Sequence, residues 1–340
     1  MRAAVLTAPR TIEIQELETP NAGRGEVRVR LKYCGICTLE QRMYTGEVRI
    51  HYPIVPGHEA SGIVDQVGDD VPSDLRPGMP VALDLVHRCG ECFFCRTGQS
   101  NLCVNRYKNG RGVLGGFAEY KVVDSKQVFA VPESLPLQEA AFAEPVGCCV
   151  RSLKKIGLSL SEELLIIGAG PMGLMHLLVA RCFGARVFVS DPDPRRLAQA
   201  ASLGADLTID PAQADLKGIV KEQTGGKGVD ACVITSPAAA ALQSAIDAIS
   251  ANGRINIYTS YNNKPLLPID ANTVHRTEAL ITGSEGRTEK DFLQAVRLLA
   301  FGKVQVGSLI SRLAGFGDIE QGLRDAISPE TYRVLLDHEA

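Results

Sequence analysis

The apolar run Leu164-Leu165-Ile166-Ile167 feeds directly into Gly168-Ala169-Gly170-Pro171-Met172-Gly173 and then into the helix-like Leu174-Met175-His176-Leu177-Leu178-Val179-Ala180. A G-x-G-x-x-G on its own carries little weight, and its meaning comes from a strand before it and a helix after it. With both present, Gly168 permits a tight turn, Gly170 lets the backbone approach a pyrophosphate and Gly173 lets helix and strand pack closely. Pro171 and Met172 would open the helix, whose free amides and positive dipole end suit phosphate. The alternative is an ordinary strand-to-helix turn. A second strand, Arg186–Ser190, ends at Asp191, 23 positions after Gly168. A carboxylate there accepts hydrogen bonds from the ribose hydroxyls and repels a 2′-phosphate, which favours NAD over NADP. Asp191 could instead cap the helix that begins near Pro192-Asp193-Pro194. Arg195 and Arg196 are the kind of neighbours that serve NADP.

The texture of the chain around this unit changes twice. Up to about residue 150 it is punctuated by glycine and proline. Its short alternating runs, such as Glu26–Leu31 and Phe117–Val123, fit half-exposed antiparallel strands in a β-rich, barrel-like domain. From 151 to 284 strand, glycine turn and helix repeat, as in a doubly wound parallel sheet covered by helices. The segment 285–340 returns to mixed character, with an amphipathic helix around Asp291–Leu299. The expected architecture is α/β, with a β-rich part over 1–150, a dinucleotide-binding domain over 151–284 and a mixed last segment over 285–340. The strand near Arg254–Tyr258 and the segment after it could form an edge of the parallel sheet, and such edges are usually paired or covered.

Cys89, Cys92, Cys95 and Cys103 stand at C-x2-C-x2-C-x7-C. Two-residue gaps turn consecutive thiolates toward one centre, and a fourth from a short loop completes the tetrahedron of a closed structural zinc site. The alternative is a disulfide cluster or four unrelated thiols. Ten cysteines in 340 residues, behind an N-terminus too short in its apolar run to be a secretory leader, argue for a reducing, cytoplasmic setting. The 36 basic and 39 acidic residues nearly balance, without a basic block. Nucleic acid and membrane surfaces are therefore poor partners, and a small molecule is the default. No apolar segment is long enough to span a bilayer.

A second group of metal-competent residues is scattered: Cys37 in Cys34-Gly35-Ile36-Cys37-Thr38-Leu39-Glu40, His58 and Glu59 in Gly57-His58-Glu59-Ala60-Ser61-Gly62, and Glu144 in Glu144-Pro145-Val146-Gly147. A thiolate, an imidazole and a carboxylate can hold zinc with one position open, but spacing alone does not bring them together. Each also has a bland reading, as a small buried residue, a turn histidine or a helix-end charge.

Taken in order, Cys-Gly-Ile-Cys, Gly-His-Glu-Ala-Ser-Gly, the four-cysteine stretch, Gly115-Gly116-Phe117-Ala118-Glu119-Tyr120, Glu-Pro-Val-Gly and the glycine-rich turn resemble the zinc-dependent medium-chain dehydrogenases over essentially the whole chain. Within them the chain is most similar to the sorbitol (polyol) and threonine dehydrogenase branch, where Glu-Pro replaces a third cysteine ligand. The resemblance implies a GroES-like catalytic domain with a Rossmann NAD-binding domain inserted before the last segment, two zinc ions per chain, and a homodimer or homotetramer. It implies catalytic zinc at Cys37, His58 and Glu144 with Glu59 as a direct or alternating ligand. It also places on Arg333 the family's arginine that reaches the cofactor phosphates. Zinc lowers the pKa of a bound hydroxyl, while hydride transfer belongs to the nicotinamide. The implied activity is reversible NAD-dependent oxidation of a secondary alcohol to a ketone.

The family usually carries serine or threonine and then aspartate two and three residues after the cysteine ligand; this chain has Leu39 and Glu40. Leucine cannot relay a proton. A metal-bound water, Glu59, Glu144 or Thr38 is expected to take over; the alternatives are that the substrate's own hydroxyl does so or that the chemistry differs. With no tryptophan and only 5% aromatic residues, a large aromatic-lined pocket is not expected; together with the resemblance to the polyol branch, this favours a polyol, cyclitol or sugar-like alcohol. An amino-alcohol is the alternative, and its carboxylate would need a cation such as Arg42, Arg49 or His51. A non-catalytic NAD-binding relative is the remaining alternative.

Overall fold

The computed structural model describes residues 1–48, 50–72, 74–106, 114–261 and 269–340. The chain divides into two compact units, Met1–Gly147 with Arg287–Ala340, and Cys148–Gly286.

The first unit is built on a seven-stranded, mostly antiparallel sheet. Its strands run Ile310–Ala314, Arg333–Asp337, Glu26–Gly35, Glu59–Val67, Pro80–Asp84 and Val128–Ala130, with Tyr120–Asp124 pairing to Glu26–Gly35 off this path. Ile310–Ala314 and Arg333–Asp337 are parallel to each other. A separate hairpin joins Arg2–Ala8 to Thr11–Glu16. The alternation in Glu26–Gly35 works as the side-chain period of two requires: Val27, Val29 and Leu31 are buried while Arg30 is exposed. They pack with Leu83, Phe117 and Leu336 in the core of this unit.

The second unit is a six-stranded sheet in the order Leu207–Ile209, Arg186–Ser190, Glu163–Ile167, Val229–Ile234, Ile249–Ile257, Leu280–Gly283, with every pairing parallel. Strands in such a sheet are covered on both faces and read as unbroken apolar runs. Leu164, Leu165, Ile166, Val187, Phe188 and Val189 accordingly have no exposed surface. Numbered within this unit, the order is 3-2-1-4-5-6, which reverses between Glu163–Ile167 and Val229–Ile234; ligands of doubly wound sheets bind at that reversal, beyond the carboxyl ends of the strands. The edges of the sheet are Leu207–Ile209 and Leu280–Gly283. The strand around Arg254–Tyr258, expected near the edge, runs Ile249–Ile257 and lies inside it.

The amphipathic helix of the last segment spans Glu289–Ala300. Thr288 caps it, its hydroxyl accepting from the Asp291 amide at 3.3 Å while Asp291 accepts from the Thr288 amide at 3.0 Å. Among the described residues, no helix is long and apolar enough to cross a membrane.

Candidate metal centres and cofactor turn

In the first unit, the pairing of Glu26–Gly35 with Glu59–Val67 places Gly35 opposite Glu59. Cys37 lies two residues beyond Gly35, at the N-cap of the helix Thr38–Thr45, and His58 lies one residue before Glu59. Antiparallel register thus closes the 21-residue gap between Cys37 and His58 that spacing left open. The ligand atoms of Cys37, His58 and Glu59 lie within 4.8 Å of one another. Glycine is required around them. A Cβ on Gly35 would stand 2.0 Å from Glu59 Oε2, and one on Gly57, whose φ is +93°, would stand 2.5 Å from the Phe117 ring.

Buried Glu40 organises this group. Its Oε1 lies 2.7 Å from His58 Nδ1 and accepts from the Gly57 amide at 3.2 Å, while Oε2 accepts from the Cys37 amide at 3.0 Å. Burial opposes charge on His58, but Glu40 and contact with Cys37 outweigh it and raise the imidazole well above its ordinary pKa. Burial raises the Cys37 thiol, with Glu59 adding to the effect. Burial also raises Glu59, and the Arg333 guanidinium, 3.3 Å from Glu59 Oε1, opposes that rise. A buried thiol, imidazole and carboxyl thus crowd one point, each held away from its metal-binding protonation state. Glu59 Oε1 accepts no hydrogen bond among the described residues. A divalent cation would convert all three to ligands and satisfy that oxygen, and with Nδ1 turned to Glu40, His58 offers Nε2 to the ion. The residues fit zinc.

Glu144, the other carboxylate named for this centre, sits in the first turn of Ala143–Lys155, and its Oε1 accepts from Arg287 Nη1. It lies outside the group gathered within 4.8 Å, close enough to raise the pKa of both His58 and Glu59. Arg333, assigned to cofactor phosphates by resemblance, is buried beside Glu59 and donates to the Ile36 carbonyl at 3.3 Å. Thr38 is exposed, and Leu39 packs against the core. His51 is exposed, Arg42 is half-buried in the last turn of Thr38–Thr45, and Arg49 lies outside the described residues.

Cys89, Cys92, Cys95 and Cys103 form a second group within 4.8 Å. Cys89 and Cys103 have their sulfurs 3.6 Å apart, near the ~3.8 Å edge of a tetrahedron with zinc–sulfur bonds of about 2.3 Å. The Cys92 amide donates to Cys89 Sγ, and the Cys89 and Asn105 amides donate to Cys103 Sγ, all at 3.4 Å. Amide donors from Cys92 and Glu91 lower Cys89 to about 6, while burial pushes Cys95 up to about 12. This set also fits zinc, with four protein ligands and no open position.

In the second unit, Gly168 has φ +106° and Gly170 is the N-cap of Pro171–Arg181, with Pro171 opening the helix. A Cβ on Gly173 would stand 1.9 Å from the Gly168 carbonyl oxygen, so helix and turn touch there. Around Gly170 the nearest atom is Arg196 Nη1 at 3.8 Å, leaving room for another group to approach. Thr235, at the end of the neighbouring strand, donates to the Gly168 carbonyl at 2.9 Å. Asp191 is buried; one carboxylate oxygen accepts from the Ala169 amide at 2.7 Å, the other from the Asp193 amide at 2.9 Å. Arg196 lies 3.9 Å from Asp191, and Arg195 pairs with Asp193 at 3.1 Å. The helix cap of the next helix is Asp193 rather than Asp191. The turn, the open Gly170 and the carboxylate at the next strand end fit a dinucleotide.

In the sequence Glu40 stands out only as a departure from aspartate, and the carboxylate kept at that position is the signal for its hold on His58. Asp84, Arg287 and Thr235 carried no local signal.

Comparison with known proteins agrees with this fold. Residues 23–133 match the alcohol dehydrogenase GroES-like domain, and residues 171–300 match the zinc-binding dehydrogenase domain. The chain is 32% identical over 302 residues to D-arabitol-phosphate dehydrogenase of Enterococcus avium, covering 87% of this chain and 85% of that protein. It is 33% identical over 331 residues to L-threonine 3-dehydrogenase of Pyrococcus horikoshii, covering 95% and 94%. A zinc-binding dehydrogenase from Sinorhizobium meliloti solved with NADP superposes with a TM-score of 0.92 at 27% identity, over 99% of both chains.

Proposed function

The chain belongs to the zinc-dependent medium-chain dehydrogenases of the polyol and threonine type, an NAD(P)-dependent oxidoreductase acting on an alcohol, and from that premise we propose that it interconverts a secondary alcohol of a polyol, cyclitol or sugar-like substrate with its ketone, using NAD.

The observation that carries this reading is the meeting of Cys37, His58 and Glu59 under the control of Glu40. Three protein ligands leave a position for the substrate oxygen, whereas the four-cysteine group leaves none. Zinc at the three-residue site supplies a Lewis acid that lowers the pKa of the substrate hydroxyl. The protein's residues do the rest. Glu40 fixes the tautomer and ring orientation of His58, and Arg333 balances the charge of Glu59 within a buried setting where each ionic contact counts for more than in water. Leu39 offers no hydroxyl, so the proton passes to a carboxylate of the site, Glu59 or Glu144. The Gly168–Gly173 turn receives the pyrophosphate on the amides of Pro171–Arg181, with Arg196 beside it. The buried Asp191 places negative charge where a 2′-phosphate would come, which supports NAD; the neighbouring Arg196 supplies the competing influence.

Screening polyols, cyclitols, sugars and amino-alcohols for NADH absorbance tests the reading, with metal analysis alongside. About two zinc per chain and turnover of a polyhydroxy substrate are expected. Turnover of a threonine-like amino-alcohol alone, the second reading favoured by the identity to L-threonine 3-dehydrogenase, would replace the first. One zinc per chain with no turnover would leave a cofactor-binding scaffold.

A further inference from the structure

The two metal groups of the first unit are joined by a chain of buried ions that runs from Arg88 to Glu144. Arg88 stands immediately before Cys89. Its Nη1 donates to Asp84 Oδ2 at 2.7 Å and its Nη2 to the Arg287 carbonyl at 2.9 Å. The other Asp84 oxygen accepts from Arg287 Nη2 at 2.7 Å, and Arg287 Nη1 donates to Glu144 Oε1. Asp84 is therefore a bridge with one oxygen on each guanidinium. It is also the sheet neighbour of Glu59, since the register of Glu59–Val67 with Pro80–Asp84 pairs Glu59 with Asp84. A second tie leaves the four-cysteine loop through Ser100, whose hydroxyl donates to Glu289, and Glu289 lies 3.5 Å from Arg88 Nε. Asp84, Arg287 and Glu144 are 1%, 3% and 6% exposed.

A buried carboxylate held by an arginine has little freedom to move unless the arginine moves with it. Here the arginine is fixed through Asp84 to the residue that enters the cysteine loop. We propose that Arg88, Asp84 and Arg287 form a relay through which the four-cysteine group sets the position of Glu144 beside the Cys37–His58–Glu59 centre. The inference rests on the reading of that centre as a metal site. Arg88 and Arg287 are positioning residues, acting through Glu144. The cysteine loop then governs the reactive centre, and its metal state is felt there.

The test uses full-length protein with cobalt at the Cys37–His58–Glu59 centre, where a thiolate charge-transfer band lost in Cys37→Ser reports the ligand set. Absence of that band would overturn the reading of the centre itself, separately from the relay. With the band in place, Arg88→Met and Cys103→Ser are each expected to shift the visible spectrum and weaken cobalt binding at that centre about fivefold or more, the lower range of measured coupling between sites. In a Glu144→Gln background, Arg88→Met is expected to add nothing. Arg88→Lys keeps a charge but loses the planar fork that grips two partners, and carries the same expectation should the methionine variant fail to fold. An unchanged spectrum and affinity in the Arg88 variants, or an undiminished effect in the Glu144→Gln background, would overturn the relay.

Discussion

His58 Nδ1 and Glu40 Oε1 lie 2.7 Å apart and both are buried, so the carboxylate that follows the leucine of this chain grips the histidine of the proposed metal centre. Removing an outer partner of a metal-binding histidine typically costs 10- to 100-fold in metal affinity or activity. Glu40→Gln is therefore expected to weaken metal binding at the Cys37–His58–Glu59 centre by about that factor while leaving the four-cysteine group loaded. Chelator competition followed by metal analysis reads both. Equal loss from the two groups would mean that Glu40 supports the fold at large.

The glycine-rich turn separates two roles that a motif string merges. Gly173 has no room for a Cβ, whereas Gly170 has its nearest neighbour at 3.8 Å and a φ of −70° that any residue adopts. Gly170→Ala is expected to fold with its melting temperature nearly unchanged and to bind NADH about tenfold or more weakly, since loss of a close backbone approach costs at least one good contact. Gly173→Ala is expected to destabilise the second unit, because overpacking typically costs 1–3 kcal/mol. Thermal melting with NADH titration checks the pair.

The fold class was legible because alternation in Glu26–Leu31 and unbroken apolar runs such as Leu164–Ile167 report burial on one face and on two. The four cysteines were legible because their contacts are local, closed within 15 residues. What brings Cys37 to His58 and Glu59 is the register of Gly35 against Glu59, a nonlocal fact that spacing does not encode. The grip of Arg287 on Glu144 spans 143 residues, and the placement of Arg333 beside Glu59 depends on which strand pairs with Glu26–Gly35. Resemblance named Glu144 as a ligand with Glu59 direct or alternating; Glu59 stands with Cys37 and His58, and Glu144 accepts from Arg287 nearby.

Leu39 is half-buried against the core and stands where the family usually has a hydroxyl. Leu39→Ser supplies that hydroxyl and removes apolar contacts, at a stability cost of about 1–3 kcal/mol for partial loss of a packed side chain. If carboxylates now carry the proton, the new hydroxyl is expected to change the pH profile of kcat for the accepted alcohol. A profile and rate identical to the parent would show that the position takes no part in proton transfer.

His176 gives the second unit a defined response to acid. Its Nδ1 lies 2.7 Å from the Met172 carbonyl, which accepts a hydrogen bond from the ring, and Nε2 lies 2.8 Å from the Ser152 hydroxyl, with no exposed surface. Burial lowers its pKa to about 4 from an ordinary 6.5. The unfolded chain therefore binds a proton that the folded one refuses between those values. A group depressed in this way contributes nothing adverse above the unfolded pKa; stability falls as pH drops below about 6.5 and levels off near 4. A shift of this size corresponds to about 3 kcal/mol at 1.36 kcal/mol per unit. Urea unfolding of the protein and of His176→Asn between those limits isolates the effect from metal loss, which both share. The asparagine variant is expected to start less stable at neutral pH, having lost a packed ring and two hydrogen bonds, and to lose distinctly less on acidification. Parallel pH slopes for the two proteins would mean that His176 accepts its proton in the folded state, and that the helix bearing the glycine-rich turn tolerates a charge at its centre.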